Sequence, residues 1–233
     1  MDQISVILCT FNEKEKIKLT IEKLLKYNVC EIIIVDDDSN DGTIEEIKKF
    51  NSNKLKLFQR KKTRGLASAF IYGVMMSKGN FIFRFDVDMY ENIDFFFSKI
   101  KNVINKDLLI FSRYIEGGDD KRNAYRRIPS LIINKICQIF LSNKIKDYTS
   151  AIIYFDKKIL QDINLKNSVY GNFIIEFVFM NIIKKNLIEE VSFIQSKSTQ
   201  ENSKSAPNIF KFLYHGSLYF FTIIYCMTLK LRK

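Results

Sequence analysis

Short runs of β-branched and aromatic residues alternate with amphipathic stretches through the first half of the chain. The runs read ISVIL, EIIIV, LKLF and FIFRF, and a fifth, DLLIFS, follows at residues 107–112. Between the first two runs, apolar residues recur at helical spacing, at Ile17, Ile21, Leu24 and Leu25. This alternation predicts an α/β fold with a mostly parallel central sheet flanked by helices. Ligands of such sheets bind beyond the carboxyl ends of the strands.

Helix ends can be predicted from local signals. We expect the first helix to end at about Tyr27 and the second at about Asn51. Asn12 and Glu15 have the spacing of a capping box at the start of the first helix.

The second half of the chain has a different rhythm. A basic segment, KRNAYRR, leads into the apolar SLIINKICQIFL, and a short strand, AIIYF, and two more helices follow. Residues 196–208 are polar and predict a mobile loop. Residues 212–229 carry no charge when His215 is neutral, which predicts a C-terminal helix of interfacial or core type.

The net charge indicates the class of binding partner, and the cysteine content indicates which structural sites to expect. Lysine and arginine total 37 against 26 acidic residues, a net charge of +11, which indicates a polyanionic partner such as nucleic acid, a phosphorylated substrate or an anionic membrane. The four cysteines form no C-x-x-C pair, which argues against a zinc site and a disulfide scaffold. No signal-peptide pattern opens the sequence, and we expect a cytoplasmic protein.

Two acidic clusters follow predicted strands. Asp86 and Asp88 come directly after FIFRF, and strand alternation would point both carboxylates to the same side. The cluster VDDDSNDGT ends the run EIIIV, and its consecutive carboxylates repel one another unless some bind a donor or a metal. If the first, second and fourth strands are neighbours, both clusters meet in one crevice. Carboxylates suit Mg²⁺ or Mn²⁺, and such a crevice suits a nucleoside diphosphate.

Seven motifs occur in the order and spacing of a known enzyme family. They are CTFNE, VDDDSNDGT, RGLASAF, DVD, SRYIEGG, RRIPSLIIN and DYTS, and the similarity covers roughly residues 3–204. The chain resembles the family 2 inverting glycosyltransferases, and among them the dolichyl-phosphate mannose and polyprenyl-phosphate sugar synthases. The resemblance implies a GT-A type fold with a single catalytic domain over residues 1–206. Its nucleotide-binding half would cover about 1–115 and its acceptor half about 116–206, followed by an apolar helix at 207–233.

The resemblance also implies a set of site residues. Asp86 and Asp88 match the metal-binding pair, and Glu13 and Asp37 match residues that hold the nucleoside. The residues expected to act in catalysis are Asp88, Asp147 and Arg127. The residues expected to bind the nucleotide sugar are Cys9, Phe11, Glu13, Val35, Asp37, Asp86, Arg113, Arg127 and Lys204.

Within that set, the arginines are expected at phosphate groups. Arg113 matches a contact to the donor phosphate, and Arg127, with Arg126 beside it, matches a basic residue near the diphosphate. The guanidinium group suits these positions because it meets phosphate bidentately. Lys204 ends a late loop that folds over the donor in the family.

Several positions depart from the family pattern. Cys9 and Phe11 replace a proline and a tyrosine, and Ile153 removes an arginine that the family has shortly after the motif DYTS. Ser198 and Glu201 stand where an arginine and a glycine are expected. These changes keep a degenerate protein that binds a donor without transferring it as an alternative.

The resemblance implies transfer of a sugar from GDP-mannose or a UDP-hexose to a polyprenyl or dolichyl phosphate, with Mg²⁺ or Mn²⁺ as cofactor. A lipid phosphate is already an anion and needs no catalytic base. The alternative acceptor is a sugar hydroxyl in glycan synthesis, for which Asp147 is the candidate base. A nucleic-acid partner is disfavoured because the acidic clusters lie where a polyanion would pass.

Membrane contact is expected from two segments of the second half. Residues 121–141 are basic and amphipathic, and the C-terminal helix is apolar, so together they predict peripheral contact with an anionic bilayer at its cytoplasmic face. Oligomerisation through the C-terminal helix is the competing explanation, and the sequence leaves the oligomeric state open.

Overall fold

A computed structural model of the protein describes residues 3–62, 64–161, 170–196 and 209–231. Its strands are β1 (Ile4–Thr10), β2 (Glu31–Asp36), β3 (Leu55–Gln59), β4 (Phe81–Arg84), β5 (Leu108–Ser112), β6 (Asp119–Asp120), β7 (Ile153–Asp156), β8 (Ile188–Ser192) and β9 (Ile194–Gln195). Its α-helices are α1 (Lys14–Leu24), α2 (Thr43–Lys48), α3 (Leu66–Met76), α4 (Ile93–Ile100), α5 (Ala124–Phe140), α6 (Lys158–Gln161), α7 (Phe173–Ile183) and α8 (Ile209–Leu231). A 3₁₀-helix, Val87–Asn92, follows β4.

The chain forms two compact units. The first contains residues 1–107 and 152–162, and the second contains residues 108–151 and 163–233. The units therefore do not follow the chain as two successive halves, because β7 returns to the first unit and pairs antiparallel with β4.

The first unit contains a sheet in the order β3-β2-β1-β4-β7. Its pairings are parallel except for β4 with β7, and β1 and β2 are buried almost throughout because helices cover them. Helix α3 approaches closely through Gly73, where an added Cβ would lie 2.7 Å from Ile7 and 3.3 Å from Val35. Because β1 pairs with both β2 and β4, the condition under which both acidic clusters would share one crevice is met. The carboxyl ends of these strands, which carry both acidic clusters, lie at one edge of this sheet.

The second unit is built from parallel pairs of strands and long helices. Strand β5 pairs with β8, and β6 pairs with β9. Helix α8 packs against α7 and α5. Asn172, at the start of α7, donates a hydrogen bond to Thr222 of α8 at 2.8 Å, and the Lys230 ammonium donates to the carbonyls of Phe140 and Leu141 at the end of α5. The predicted C-terminal helix is thus held in this unit through Thr222 near its middle and Lys230 at its end.

The structure corrects the local predictions at the first helices. Helix α1 ends at Leu24 and α2 at Lys48, a few residues earlier than expected. The capping box is absent, because Glu13 is the N-cap of α1 and no side chain bonds to the cap. Asn12 instead adopts a left-handed backbone with φ 58°, and its side-chain oxygen accepts a hydrogen bond from the Asn40 amide at 2.9 Å. Its side chain therefore joins two loops and is not available as a cap.

Two expectations concern segments near the C-terminus. Of the loop predicted at residues 196–208, residues 197–208 lie outside the described residues, and Ser198, Glu201 and Lys204 are among them. Across the ranges that the structure describes, no helix combines the length and apolar character needed to cross a membrane.

Candidate active site

Asp86 and Asp88 lie just beyond the carboxyl end of β4. The strand ends at Arg84, Asp86 has an extended backbone at the N-cap of the 3₁₀-helix, and Asp88 lies inside that helix. The prediction that strand alternation aligns the two carboxylates was therefore wrong. A tight 3₁₀ turn brings them close enough for the charge of Asp86 to raise the pKa of Asp88.

Asp88 carries a buried oxygen without a donor. Its Oδ1 atom has no hydrogen-bond partner among the residues that the structure describes. Burial, followed by the negative charges of Asp86 and Glu13, raises the pKa of Asp88 to about 7, although Lys16 and Arg84 act in the opposite direction. A buried carboxylate oxygen without a donor is costly, and a cation at this position would remove the cost.

Asp86 and Asp88 fit Mg²⁺ or Mn²⁺. The Asp86 side chain is 46% exposed, whereas Asp88 is half-buried and its Oδ1 atom is enclosed. Within the described ranges, no cluster of three or more potential ligands is present. Two carboxylates are sufficient for Mg²⁺, which keeps several waters and takes its other ligands from substrate phosphates. The unsatisfied Asp88 oxygen and the all-oxygen donor pair both fit such an ion.

Arg84 is a site residue that sequence reasoning missed. It is the last residue of β4 and is completely buried, and its Nη2 atom lies 2.5 Å from Oδ1 of Asp86. A charged residue inside the apolar run FIFRF was the available signal. Arg84 holds one oxygen of Asp86 and leaves the other oxygen for a ligand.

Asp37 fastens the loop that precedes α3. Its Oδ1 atom accepts a hydrogen bond from Arg60 Nε at 2.7 Å, and its Oδ2 atom accepts one from the Gly65 amide at 2.8 Å. Arg60 also donates to Ser68 and to the carbonyl of Gly65. Both oxygens of Asp37 therefore have partners within the protein. We call this set of hydrogen bonds between Asp37, Arg60 and Gly65 the clasp of Asp37. Arg60 and Gly65 were not predicted as site residues.

The other carboxylates of VDDDSNDGT also have internal donors. Asp36 accepts hydrogen bonds from Thr10 Oγ1 at 2.7 Å and from the amide and hydroxyl of Ser39 at 2.8 and 2.6 Å. Asp38 has φ 64° and lies 3.8 Å from Arg64. Asp41 accepts from the amide and hydroxyl of Thr43, the first residue of α2. The predicted need of these carboxylates for donors is met by the chain itself.

The remaining predicted residues of the first unit differ in accessibility. Phe11 is exposed, and the Arg64 guanidinium carbon lies 4.8 Å from its ring centroid. Glu13 donates its backbone amide to Thr43 Oγ1 at 2.8 Å. Burial raises the pKa of the Cys9 thiol to about 12, so the thiol stays protonated. Val35 is completely buried in β2, between β1 and β3, with no surface accessible to a ligand.

In the second unit, Arg113 and Asp147 form a buried ion pair. Arg113 donates from Nε to Oδ2 and from Nη2 to Oδ1 of Asp147, both at 2.8 Å, and its amide donates to Oδ2 at 3.0 Å. Burial opposes both charges, but the partner outweighs it, which lowers the pKa of Asp147 and raises that of Arg113. Arg113 also donates to Thr149 and Gln195. The structure thus unites these two predicted residues, with most of their hydrogen-bonding capacity directed at each other.

Neighbouring groups extend this pair into a network. Asp120 lies 3.7 Å from Arg113 and accepts hydrogen bonds from Arg122 and from the Tyr114 hydroxyl. Glu190 accepts from the Asp147 amide at 2.9 Å and so holds the turn that carries Asp147. Arg127, in contrast, is exposed near the start of α5 in the same unit and takes no part in this network of described residues.

The sequence is similar to that of known glycosyltransferases. The model of the family "Glycosyl transferase family 2" matches residues 5–164. A dolichol-phosphate mannosyltransferase from Pyrococcus furiosus is 30% identical in an alignment of 224 positions that covers 91% of this chain and 62% of that protein. The poly(ribitol-phosphate) β-N-acetylglucosaminyltransferase TarP from Staphylococcus aureus is 30% identical over 76% of this chain and 58% of its own length. The chain thus spans about three fifths of the length of these relatives.

Solved structures share the fold at low sequence identity. Glucosyl-3-phosphoglycerate synthase from Mycobacterium tuberculosis, in complex with Mn²⁺, uridine diphosphate and glucosyl-3-phosphoglycerate, matches with a TM-score of 0.73 at 14% identity. The match covers 97% of this chain and 80% of the synthase. The same synthase with Mg²⁺ and uridine diphosphate gives a TM-score of 0.72. These matches establish the GT-A type fold, and because the family model covers well over half of the 233 residues, the chain belongs to glycosyl transferase family 2.

Proposed function

We propose that the protein is a metal-dependent inverting glycosyltransferase that moves a sugar from a nucleotide sugar to a polyprenyl phosphate. The observation that carries this proposal is the buried, unsatisfied Oδ1 atom of Asp88 next to the exposed Asp86, at the edge where β1, β2 and β4 end. This edge is where parallel sheets bind nucleotides. The names of the relatives support a sugar transferase, and that of the Pyrococcus furiosus protein supports a lipid-phosphate acceptor.

The residues of the first unit have distinct tasks in this mechanism. Asp86 and Asp88 would hold Mg²⁺ or Mn²⁺, which supplies positive charge against the departing diphosphate. Arg84 orients Asp86, and the clasp of Asp37 fixes the loop before α3 at the same edge. Phe11 offers an exposed ring, backed by Arg64, on which a base can stack.

The acceptor step requires no base when the acceptor is a phosphate. A phosphate oxygen of the acceptor supplies the electron pair that forms the new bond to the anomeric carbon. On the opposite face of that carbon, the bond to the diphosphate oxygen breaks, and the nucleoside diphosphate leaves with its electron pair. A sugar hydroxyl would need a base, and the candidate for that role, Asp147, is neutralised by Arg113. The ion pair therefore favours the phosphate acceptor. The name of TarP keeps the hydroxyl acceptor as the second candidate.

Position 153, where the family has an arginine, is isoleucine in this chain, but an arginine lies on the neighbouring strand. Ile153 of β7 lies directly opposite Arg84 of β4 in the antiparallel ladder. Directly opposed residues of such a pair project to the same face, so a guanidinium group at position 84 can serve the region that one at position 153 would serve. We infer that Arg84 replaces the missing arginine, which argues against the degenerate alternative.

A donor panel tests the function. The purified protein is incubated with Mn²⁺ or Mg²⁺, a set of GDP- and UDP-sugars and a short-chain polyprenyl phosphate, and nucleoside diphosphate and glycolipid are measured. We expect glycolipid with one donor, loss of it in Asp88→Asn, and no loss in Glu45→Gln, which removes an exposed carboxylate of α2. Diphosphate release without glycolipid would favour the hydroxyl acceptor. Absence of both turnover and metal-dependent nucleotide binding would overturn the proposal.

A further inference from the structure

Helices α5 and α8 present a joint apolar surface that the proposed transfer reaction does not use. On α5 the exposed apolar residues are Tyr125, Ile128, Leu131, Ile132, Ile139 and Phe140. On α8 they are Tyr214, Phe220, Phe221, Ile224 and Leu231. The exposed fraction is 65% at both Ile139 and Phe221 and 86% at Leu231, which is unusual for so many large apolar side chains on two adjacent helices. We call this set of residues the α5–α8 surface.

The two helices hold this surface together as one body. Their opposite faces point inward, with Asn134, Cys137, Ile223 and Cys226 buried. The Lys230 ammonium donates to the carbonyl oxygens of Phe140 at 3.0 Å and Leu141 at 2.8 Å, which joins the end of α8 to the end of α5. The exposed residues therefore belong to a fixed face of the second unit.

The charges of the two helices have one sign. Helix α5 contains Arg126, Arg127 and Lys135, α8 contains Lys211 and Lys230, and neither helix contains an acidic residue. Helices that combine exposed apolar residues with charges of cationic sign alone are typical of the interface of an anionic bilayer. In a symmetric dimer the same surface would meet itself and bring these cations together, so the charge pattern disfavours a second copy as the occupant.

We propose that the α5–α8 surface docks the protein on an anionic lipid bilayer, with the helices lying in the plane of the interface. The apolar side chains enter the headgroup boundary, and Arg126, Arg127 and Lys135 meet lipid phosphates. This inference deepens the proposed function, because a polyprenyl phosphate is reached from a bilayer surface. It does not depend on turnover and is testable by binding alone.

Vesicle flotation tests the docking directly. We expect the protein to float with phosphatidylcholine vesicles that contain about 30% phosphatidylglycerol, and at least tenfold less with phosphatidylcholine alone. The double variant I139S/F221S should lose at least tenfold of this binding. The matched control M75S/I104S removes two equally exposed apolar side chains from the first unit and should bind like the parent. Equal flotation of both double variants would overturn the proposal.

A fluorescent probe locates the contact, because the chain contains no tryptophan. The emission of Phe221→Trp should shift to the blue with anionic vesicles, and that of Ile104→Trp should not. A shift that depends on protein concentration without vesicles, together with a larger mass in sedimentation, would replace the bilayer by a second copy. Turnover with a short, water-soluble acceptor separates the two proposals. I139S/F221S should retain it, whereas failure of the transferase proposal abolishes it in the parent protein too.

Discussion

Asp88 and Asp147 have different local environments, which shift their pKa values in opposite directions. Burial and the neighbouring Asp86 raise the pKa of the half-buried Asp88 to about 7, whereas the pKa of the fully buried Asp147 is lowered because Arg113 outweighs its burial. Asp88 thus has an oxygen atom that a cation would stabilise, whereas Asp147 is already paired with the cationic Arg113. The pairing is consistent with a metal at the first position and a structural anchor at the second.

Replacing Asp88 should separate stability from ligand binding. In Asp88→Asn a buried negative charge without a donor is removed, so we expect the metal-free variant to unfold with a free energy higher by roughly 1–3 kcal/mol. Mn²⁺ affinity in the presence of uridine or guanosine diphosphate should fall at least tenfold. Urea denaturation and titration calorimetry measure the two effects. Glu45→Gln is the control, and unchanged Mn²⁺ affinity would contradict the metal assignment.

Arg84 and Ile153 offer a swap experiment. Arg84→Ile removes the guanidinium group that holds Asp86, and we expect at least a tenfold loss of metal-dependent nucleotide binding. The double variant R84I/I153R returns a guanidinium group to the same face of the β4–β7 pair and should recover part of that binding. Circular dichroism checks that both variants fold. If the swapped protein binds no better than Arg84→Ile, the two positions are not equivalent.

The residue types of the site were predictable, but their partners were not. Asp86 and Asp88 followed from a motif within the sequence. Arg84, Arg60 and Gly65 were missed because their roles depend on contacts with other segments, and a lone arginine or glycine has many possible uses.

At the scale of secondary-structure elements, short loops fix how strands and helices meet. The clasp of Asp37 joins the end of β2 to the loop before α3, and Gly65 contributes its amide there with φ 144° and ψ 131°. Residues with a Cβ avoid this conformation, so the glycine is required by the backbone.

Gly65→Ala should therefore destabilise the protein. We expect the free energy of unfolding to fall by about 1–3 kcal/mol, because alanine is strained at this backbone conformation. Gly216→Ala is a control of opposite sign, since Gly216 lies within α8 with nothing within 4 Å of an added Cβ. That substitution should stabilise the protein by up to about 1 kcal/mol. Thermal denaturation compares the stabilities of the two variants with that of the parent. An equal change in both would contradict a strained alanine at position 65.

The Arg113–Asp147 pair anchors the end of β5 to the turn at residues 147–149. Asp147→Asn leaves Arg113 buried with a weakened partner, so we expect a loss of roughly 3 kcal/mol or more in the free energy of unfolding. The double variant R113M/D147L should recover much of it. Chemical denaturation gives both values. A stable Asp147→Asn variant without turnover would instead support Asp147 as a base for a hydroxyl acceptor.

The existence of the elements was predictable from hydrophobic periodicity, whereas their ends were not. Helix α1 begins without the capping box that Asn12 and Glu15 indicated, because Asn12 is used in a contact to Asn40. The 3₁₀ turn that carries Asp88 was taken for strand, since its residues continue an apolar pattern.

At the scale of the whole molecule, the excess of positive charge is distributed unevenly. The first unit gathers carboxylates at one edge of its sheet, while α5 and α8 of the second carry only cationic charges. The net charge of +11 is therefore compatible with an enzyme that holds a metal in one region and an anionic surface in another.

Acid should unfold the molecule partly through Asp120. Burial opposes its charge, but the hydrogen bond and charge of Arg122, with Arg113, outweigh burial and lower the pKa of Asp120 to about 2. A carboxylate with a lowered pKa in the folded state stabilises the protein above about pH 4, its unfolded value, and this contribution is lost as the pH falls toward 2. Its size is about 2 kcal/mol.

Asp120→Asn measures this contribution. Urea denaturation between pH 6 and about 2 should show a parent protein that loses stability more steeply on acidification than the variant does. The difference between them should be largest above about pH 4 and vanish at the acid end. Asp119→Asn, the exposed neighbour, should follow the parent. Parallel curves for Asp120→Asn and the parent would assign the acid sensitivity to other groups.

The sequence by itself determined the α/β class, the alternation of the first strands and helices, the position of the acidic pair after a strand, and the family, because periodicity and motif spacing are local properties of the chain. The tertiary structure alone decided which carboxylates are satisfied: Asp36, Asp37 and Asp147 receive donors from distant segments, and Asp88 Oδ1 receives none within the described ranges. It also decided that the apolar faces of α5 and α8 remain exposed together. Satisfaction and exposure depend on contacts between residues far apart in the chain, which local sequence patterns do not specify.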